Sequence, residues 1–457
     1  MKPIEYTDKI VADFKKLWEM LGVSYTSFVR TSSPEHEKTV QTLLQKVWEQ
    51  GDIYKKDYEG LYCVPCESFW TEHQVEEAGG VCPDCGRPVE KMRESSYFFR
   101  MSKYADRILE YIETHPDFIQ PVSRRNEMIN FIKQGLEDLC ISRSSFDWGI
   151  QVPFDPKHVV YVWFDALLAY FTGIGFGRDM DKFNRFWPAD LHLVGKEIVR
   201  FHTIIWPAML MAMGFDLPKE VYGHGWLVVD GDKMSKSKGN VVSPDDLVRD
   251  YGCDSLRLYE LFVGPPELDA EWDDRGIEGV SRFLNRFWNL VMDSKDKDVK
   301  ETKEMVKLRH KLVYDIEQRF NQFSLNTVIS GFMEYNNKLM DLAKKEGGID
   351  KETLKTFVIL LAPFAPHIGE ELWSQLGGTD SVFHSQWPEC DTEAMKDDEV
   401  EVAVQVNGKT RAVISVPADI SKEDAIVQGK EAVKDKMAGN IVKEIYVPGK
   451  IINIVCK

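Results

Sequence analysis

The chain is 457 residues long, 43% hydrophobic and 29% charged, the composition of an ordinary globular protein with length for about three domains. Its net charge of −17 excludes a protein that grips nucleic acid by bulk electrostatics, and its longest apolar run, near Ile204–Phe215, is too short to cross a bilayer. Eight cysteines, four of them in two C-x-x-C pairs, fit a reducing compartment and a metal site better than a disulfide framework, and no signal peptide is visible, so a cytoplasmic location without membrane contact is expected.

Residues 1–54 read as two amphipathic helices. In the first, Ile10, Val11, Phe14, Leu17, Trp18 and Leu21 recur at helical spacing. The second has Ser33 as N-cap, Pro34 at the first helical position, Val40, Leu43, Leu44 and Val47 on one face, and Gly51 at its end. No strand precedes the first helix, which is unusual for a nucleotide-binding half-fold. Residues 55–95 then hold Cys63-x-x-Cys66 and Cys82-x-x-Cys85, a spacing that can close a tetrahedral Zn2+ site. Sulfur at all four positions would make the metal structural; the alternative is four reduced cysteines without metal.

Tyr104–Asp147 is mainly helical in pattern, and Val159–Phe164 is a continuous apolar run expected to be a strand buried on both faces. Asp165-Ala166 would end it and Tyr170 would lie on the following turn; by itself the run is core packing. Leu191–Glu197 reads as a strand-to-helix turn leading into a helix with His202, Ile205, Met209 and Met213, where a lone histidine is most often a satisfied core residue. Trp226–Val229 reads as an apolar strand before Gly231-Asp232-Lys233-Met234-Ser235-Lys236-Ser237-Lys238-Gly239-Asn240, and Ser243–Asp246 as a turn after it. Lysines alternating with small residues can close on a polyphosphate, where ammonium groups neutralise charge as a phosphoryl bond breaks. A solvated basic surface loop is the plainer alternative.

Residues 271–395 repeat amphipathic stretches broken by Gly347-Gly348, Pro363 and Gly377-Gly378, the pattern of a helical bundle. The last segment alternates at Val400, Val402, Val404 and Val406, turns at Asn407-Gly408 and returns through Val413, Ile414 and Val416. Ser421-x-x-Asp424 opens a helix, and Ile441–Val447 and Ile451–Val455 flank Pro448-Gly449, giving the order ββαββ. With so acidic a chain, any nucleic-acid contact must come from local patches such as Arg124-Arg125 or Lys409–Arg411.

Lys233-Met234-Ser235-Lys236-Ser237 is identical to the signature loop of class I aminoacyl-tRNA synthetases, which form an aminoacyl-adenylate from ATP and pass the amino acid to tRNA. Residues 1–240 resemble the methionyl branch. The cysteine block, with Tyr62, Pro65, Glu67, Phe69, Trp70 and Tyr97-Phe98-Phe99, is similar to its zinc-bearing connective peptide, and Trp163-x-Asp165-Ala166-x-x-x-Tyr170 is similar to its methionine-pocket element. The resemblance implies that Trp163, Ala166, Tyr170 and His202 line the methionine site. It implies that Gly195 and Glu197 meet the ATP ribose, that His224 and Gly225 pack on adenine, and that Lys233, Met234, Ser235, Lys236 and Ser237 hold the phosphates. Lys236, helped by Lys233, would be the catalytic charge stabiliser, with ATP and Mg2+ as substrate. Glu197 departs from the aspartate more common in the family.

Residues 241–457 resemble the leucyl branch instead, at Leu256–Leu261, Trp272–Gly276, Phe283–Asn289, Leu361–His367 and Glu370–Trp373, and the ββαββ segment is similar to that branch's tRNA-elbow appendix. A crossover within the shared lysine loop would produce such a changeover. The family's second signature, His-x-Gly-His, is absent, because no two of the ten histidines are three apart.

The expected fold is therefore α/β: a Rossmann-like class I synthetase catalytic domain lacking its first strand, with a zinc-knuckle insertion, then an α-helical bundle and a small ββαββ domain. Residues 1–33 would be a remnant of the first Rossmann half, 34–148 the connective peptide with the knuckle, 149–225 the second half, 226–270 the lysine-loop and stem-contact region, 271–395 the tRNA-binding bundle and 396–457 the appendix. The expected function is activation of methionine and its transfer to tRNA(Met), weakened by the missing histidine loop. The alternatives are a leucine ligase for tRNA(Leu), or an inactive tRNA-binding fragment, with a separately encoded N-terminal piece as a possible partner.

Overall fold

The computed structural model describes residues 1–66, 68–144, 147–234, 239–396, 399–437 and 439–457. They form two compact units, Met1–Cys253 with Val263–Asp274, and Asp254–Phe262 with Arg275–Lys457.

In the first unit, α1 (Pro3–Met20) and α2 (Pro34–Glu49) form where the apolar spacing places them. Ser33 caps α2 by accepting the His36 N–H, and His36, Val40, Leu43, Leu44 and Val47 are buried along one face. The stripe of α1 is a different matter: none of its residues is buried, and Trp18 packs edge-on against Tyr25 and Phe28. An antiparallel hairpin follows, β1 (Ile53–Cys63) with β3 (Glu90–Phe99), and β2 (Ser68–Trp70) and α3 (Glu72–Glu77) lie between them in sequence. Then come α4 (Ala105–Thr114), β4 (Ile119–Gln120), α5 (Val122–Lys133), β5 (Leu139–Cys140), β6 (Ser142–Arg143), β7 (Gln151–Val152) and β8 (Asp155–Val160).

The apolar run at Val159–Phe164 is not one strand. β8 stops at Val160 within an antiparallel sheet in the order β6-β8-β7, and Tyr161 begins α6 (Val162–Leu167), followed by α7 (Ala169–Gly173). The reason is a helical period hidden inside the run: Phe164, Leu167, Leu168 and Phe171 are all buried in the core, whereas Val162 faces outward. Trp163, Ala166 and Tyr170 therefore sit on short helices, not on a strand and its turn.

After α8 (Met180–Phe186), β9 (Leu191–Gly195) runs through a 3-10 turn, Lys196–Ile198, and a π-helical turn, Phe201–Ile205, into α9 (Trp206–Met213). With β10 (Glu220–His224) it completes a parallel sheet in the order β4-β10-β9. Core residues Ile119, Val194, Val221, Trp206 and Met209 belong to one apolar cluster that α2 also enters.

The lysine stretch begins as a hairpin and not as a loop. β11 (Leu227–Val229) pairs with β12 (Asp232–Lys233) across Asp230-Gly231, both at positive φ, and β13 (Ala270–Glu271) lies parallel to β11. The Glu271 carboxylate accepts the Asp230 N–H at 2.5 Å and the Gly231 N–H at 3.3 Å, which fixes the turn. Ser243 is the N-cap residue of α10 (Pro244–Tyr251), so the expected turn is a helix start.

The second unit holds most of α11 (Cys253–Phe262) and of α12 (Asp274–Ser294), then α13 (Lys303–Asn321), α14 (Leu325–Glu346), α15 (Lys351–Leu361) and α16 (Pro366–Gln375). The breaks fall at Gly347, before Pro363 and before Gly377, as read from the sequence. The ββαββ segment is β14 (Glu399–Val406), β15 (Lys409–Pro417), α17 (Lys422–Ala432), β16 (Ile441–Val447) and β17 (Ile451–Cys456), in sheet order β15-β14-β17-β16. Among the described residues no helix is long and apolar enough to cross a membrane.

Candidate functional site

One continuous segment, β9 through the π-helical turn, carries two groups of the residues singled out from the sequence. Gly195 and Glu197 stand at its start, and His202 lies one and a half turns on. His202 is buried, and its Nδ1 donates to the Ile198 carbonyl at 2.9 Å. A carbonyl can only accept, so Nδ1 carries the hydrogen and Nε2 takes the Tyr170 hydroxyl's hydrogen at 2.7 Å. Trp163 stacks on Phe201, ring centroids 3.7 Å apart and 15° from parallel. Tyr170 also meets the ring of His192, at 4.4 Å.

These groups make an uncharged aromatic wall. Burial pushes His202 below its ordinary value, and burial together with the neighbouring His202 pushes His192 down to about 4. Burial likewise raises the Tyr170 phenol. A neutral, polarizable lining suits a thioether better than an ion. Phe201 and His192 were missed in the sequence; the signal was available for Phe201, which sits one residue before His202 on the same turn.

The second group gathers around Trp226. Lys196 lies over its ring at 4.0 Å and Lys233 at 4.5 Å, and the indole N–H donates to Glu197 Oε2 at 2.7 Å. Lys233 Nζ donates to Glu197 Oε1 at 2.6 Å and Lys196 Nζ to Asp269 at 2.5 Å. Partial burial pushes Glu197 up, but the bonds from Lys233 and Trp226 outweigh it, and the carboxyl ends below its usual range. The added methylene of glutamate over aspartate is what an acid at position 197 uses here to reach toward both partners. Gly225 fits with no room to spare: a Cβ there would stand 2.0 Å from the Leu268 carbonyl oxygen, while its N–H donates to Pro266. His224 ends β10, with Nδ1 donating to the Gly225 carbonyl at 2.7 Å. Met234 is half-buried just after β12. Ser235, Lys236 and Ser237 lie outside the described residues, so Lys236 has no geometry here.

The four cysteines come together at the end of β1 and on the turn before β3. Their sulfurs all lie within 4.8 Å of one another, with Cys63–Cys85 at 3.5 Å and Cys66–Cys82 at 3.9 Å. Sulfurs bound tetrahedrally at the usual Zn–S length stand about 3.8 Å apart, so the donor set and spacing fit such an ion. Burial pushes the Cys63 and Cys66 thiols up; a divalent cation would compensate for that cost and favour the thiolates. Of the basic patches, Arg125 is spent on the Ile112 carbonyl and Arg124 on Glu127, whereas Lys409–Arg411 is exposed on β15.

The family described as tRNA synthetases class I (M) matches residues 1–291, continuing past Asn240, and the anticodon-binding domain of tRNA ligase matches residues 302–427. A methionine–tRNA ligase of Caldanaerobacter subterraneus subsp. tengcongensis is 44% identical over 471 aligned residues, covering 95% of this chain and 72% of that protein. The chain spans between 40% and 72% of the length of the first curated relatives it matches. Among solved structures, methionyl-tRNA synthetase of Mycobacterium tuberculosis in complex with methionyl-adenylate matches with a TM-score of 0.71 at 31% identity, over 81% of this chain and 85% of that one. The leucyl-tRNA synthetase of Agrobacterium radiobacter in a ternary complex matches with a TM-score of 0.80 at 18% identity, over 100% of this chain and 88% of that one, a likeness of fold alone. With a family match over well more than half its length, the chain belongs to the class I tRNA synthetases (M).

Proposed function

We propose that the chain activates methionine with ATP and transfers it to tRNA(Met), in the cytoplasm. The observation that carries this reading is the single segment from Gly195 to His202, which sets a neutral aromatic pocket beside a carboxylate and lysine cluster suited to a nucleotide. In the reaction a methionine carboxylate oxygen would attack the α-phosphorus of ATP in line. The bond from that phosphorus to the bridging oxygen breaks, and pyrophosphate leaves with Mg2+. Catalysis would rest on positioning and charge stabilisation, with Lys233 and Lys236 taking up charge on the departing phosphates. Trp163, Ala166, Tyr170 and His202 would hold the amino-acid side chain, Gly195 and Glu197 the ribose, and His224 and Gly225 the base, with Met234, Ser235 and Ser237 along the phosphates. Glu197 would have to release Lys233 when nucleotide enters. Zn2+ on Cys63, Cys66, Cys82 and Cys85 would shape the knuckle without entering the chemistry, and the bundle and the ββαββ segment would meet the tRNA.

No finding supports a leucyl activity or a separately encoded N-terminal piece, and the leucyl likeness is one of fold. The test is ATP–pyrophosphate exchange with the purified chain, run with methionine, with leucine and with neither. Methionine-dependent exchange is expected; leucine-dependent exchange would overturn the pocket assignment. Exchange well below that of an intact methionine ligase would bear out the weakening expected from the absent His-x-Gly-His loop, and a comparable rate would refute it.

A further inference from the structure

His36 took no part in the sequence reading, yet it is fully buried and bonded at both ring nitrogens. Its Nε2 meets Asp165 Oδ1 at 2.5 Å and its Nδ1 meets Thr172 Oγ1 at 2.9 Å. The Asp165 carboxylate can only accept, so Nε2 carries the ring's one N–H, and Nδ1 accepts the Thr172 hydroxyl hydrogen, whose other acceptor in reach, the Leu168 carbonyl, stands farther off at 3.3 Å. Threonine, histidine and aspartate in that order resemble a nucleophile with its base. Burial rules that role out: Thr172 is 4% exposed and His36 0%, so neither can reach a substrate.

What the contacts do is mechanical. Asp165 belongs to α6, which carries Trp163 and Ala166, and Thr172 belongs to α7, which carries Tyr170. These helices are six and five residues long, too short to hold their own geometry. His36 comes from the first turn of α2, a sixteen-residue helix fixed by the Ser33 cap and by four apolar residues in the core. We propose that His36 is a positioning residue of the amino-acid site: one buried imidazole, bonded to both short helices, sets the spacing between Trp163 and Tyr170. The inference rests on the reading of those two residues as pocket walls, although the clamp itself can be tested without ligand.

The experiment uses the full chain with His36→Leu, His36→Gln, and Val47→Ala as a control for general loosening, since Val47 lies about three turns away on the same helix. Methionine and ATP binding are measured separately by equilibrium dialysis, and backbone hydrogen exchange is followed by peptide. His36→Leu should weaken methionine binding on the order of tenfold or more, leave ATP binding unchanged, and speed exchange in 162–173 while 206–213 stays protected. His36→Gln, which keeps a donor, should recover part of both effects. Methionine binding equal to the parent, or exchange quickened evenly as in Val47→Ala, would overturn the proposal. If the parent chain binds no methionine, the functional reading fails, and the exchange pattern alone decides the clamp: a change confined to 162–173 supports it, an even one overturns it.

Discussion

Replacing Tyr170 by phenylalanine isolates the bond that ties it to His202 in the aromatic cluster. The change removes one hydroxyl and little volume, so its effect is that of a hydrogen bond and not of a cavity. Tyr170 donates at 2.7 Å to Nε2 of His202, whose Nδ1 hydrogen is already committed to Ile198 at 2.9 Å. The ring cannot exchange tautomers without leaving that carbonyl unpaired, so Nε2 would be left as a buried acceptor facing a phenyl edge. Such an orphan costs about 1–3 kcal/mol. Tyr170 itself is 38% exposed, which lets water approach and favours the lower half of that range. At about 3 °C per kcal/mol for a unit of this size, thermal unfolding should shift down by about 3–6 °C. Tyr170→Phe combined with His202→Leu removes both partners, and the double variant should lose about 1 kcal/mol less than the sum of the single ones. Thermal and urea unfolding of the four proteins gives the cycle. A coupling indistinguishable from zero would mean that the bond does not hold the wall, and the tautomer argument would fall with it.

Other consequences follow from the same geometry. His192 is held neutral by burial, with its folded value near 4 against about 6.5 unfolded, so between those limits the unfolded chain binds the extra proton. The protein should therefore be fully stabilised by this group above about pH 6.5 and lose about 3 kcal/mol as pH falls to about 4; urea midpoints across that range should flatten in His192→Phe. Gly225→Ala drives a methyl into the Leu268 carbonyl, so it should destabilise by about 1–3 kcal/mol in urea unfolding. Glu197→Gln breaks an exposed ion pair with Lys233, so unfolding should change by less than about 1 kcal/mol while ATP binding weakens. The purified chain should carry about one equivalent of zinc, and Cys66→Ser or a strong chelator should remove it and lower the melting temperature.

Much of this was legible in the order of residues, because the signals are local. The Ser33 cap, the helix breaks at Gly347 and Gly377, the Asn407-Gly408 hairpin and the four-cysteine grouping each depend on backbone preferences or short spacings that a sequence states directly. Periodicity failed where two periods overlap. Val159 to Phe164 is apolar throughout, so alternation is invisible, and only the burial of Phe164, Leu167, Leu168 and Phe171 against the core selects a helix for its second half. The stripe of α1 shows the reverse case, for an amphipathic pattern states which face could be buried and not whether anything covers it. The sequence by itself determined the family. Tertiary structure alone decided that His36, 129 residues before Asp165 and 136 before Thr172, would meet both. It also brought Glu197 to Lys233 across 36 residues. Such pairings arise when separate elements bury apolar faces in one core, and no local preference encodes which polar groups are carried together.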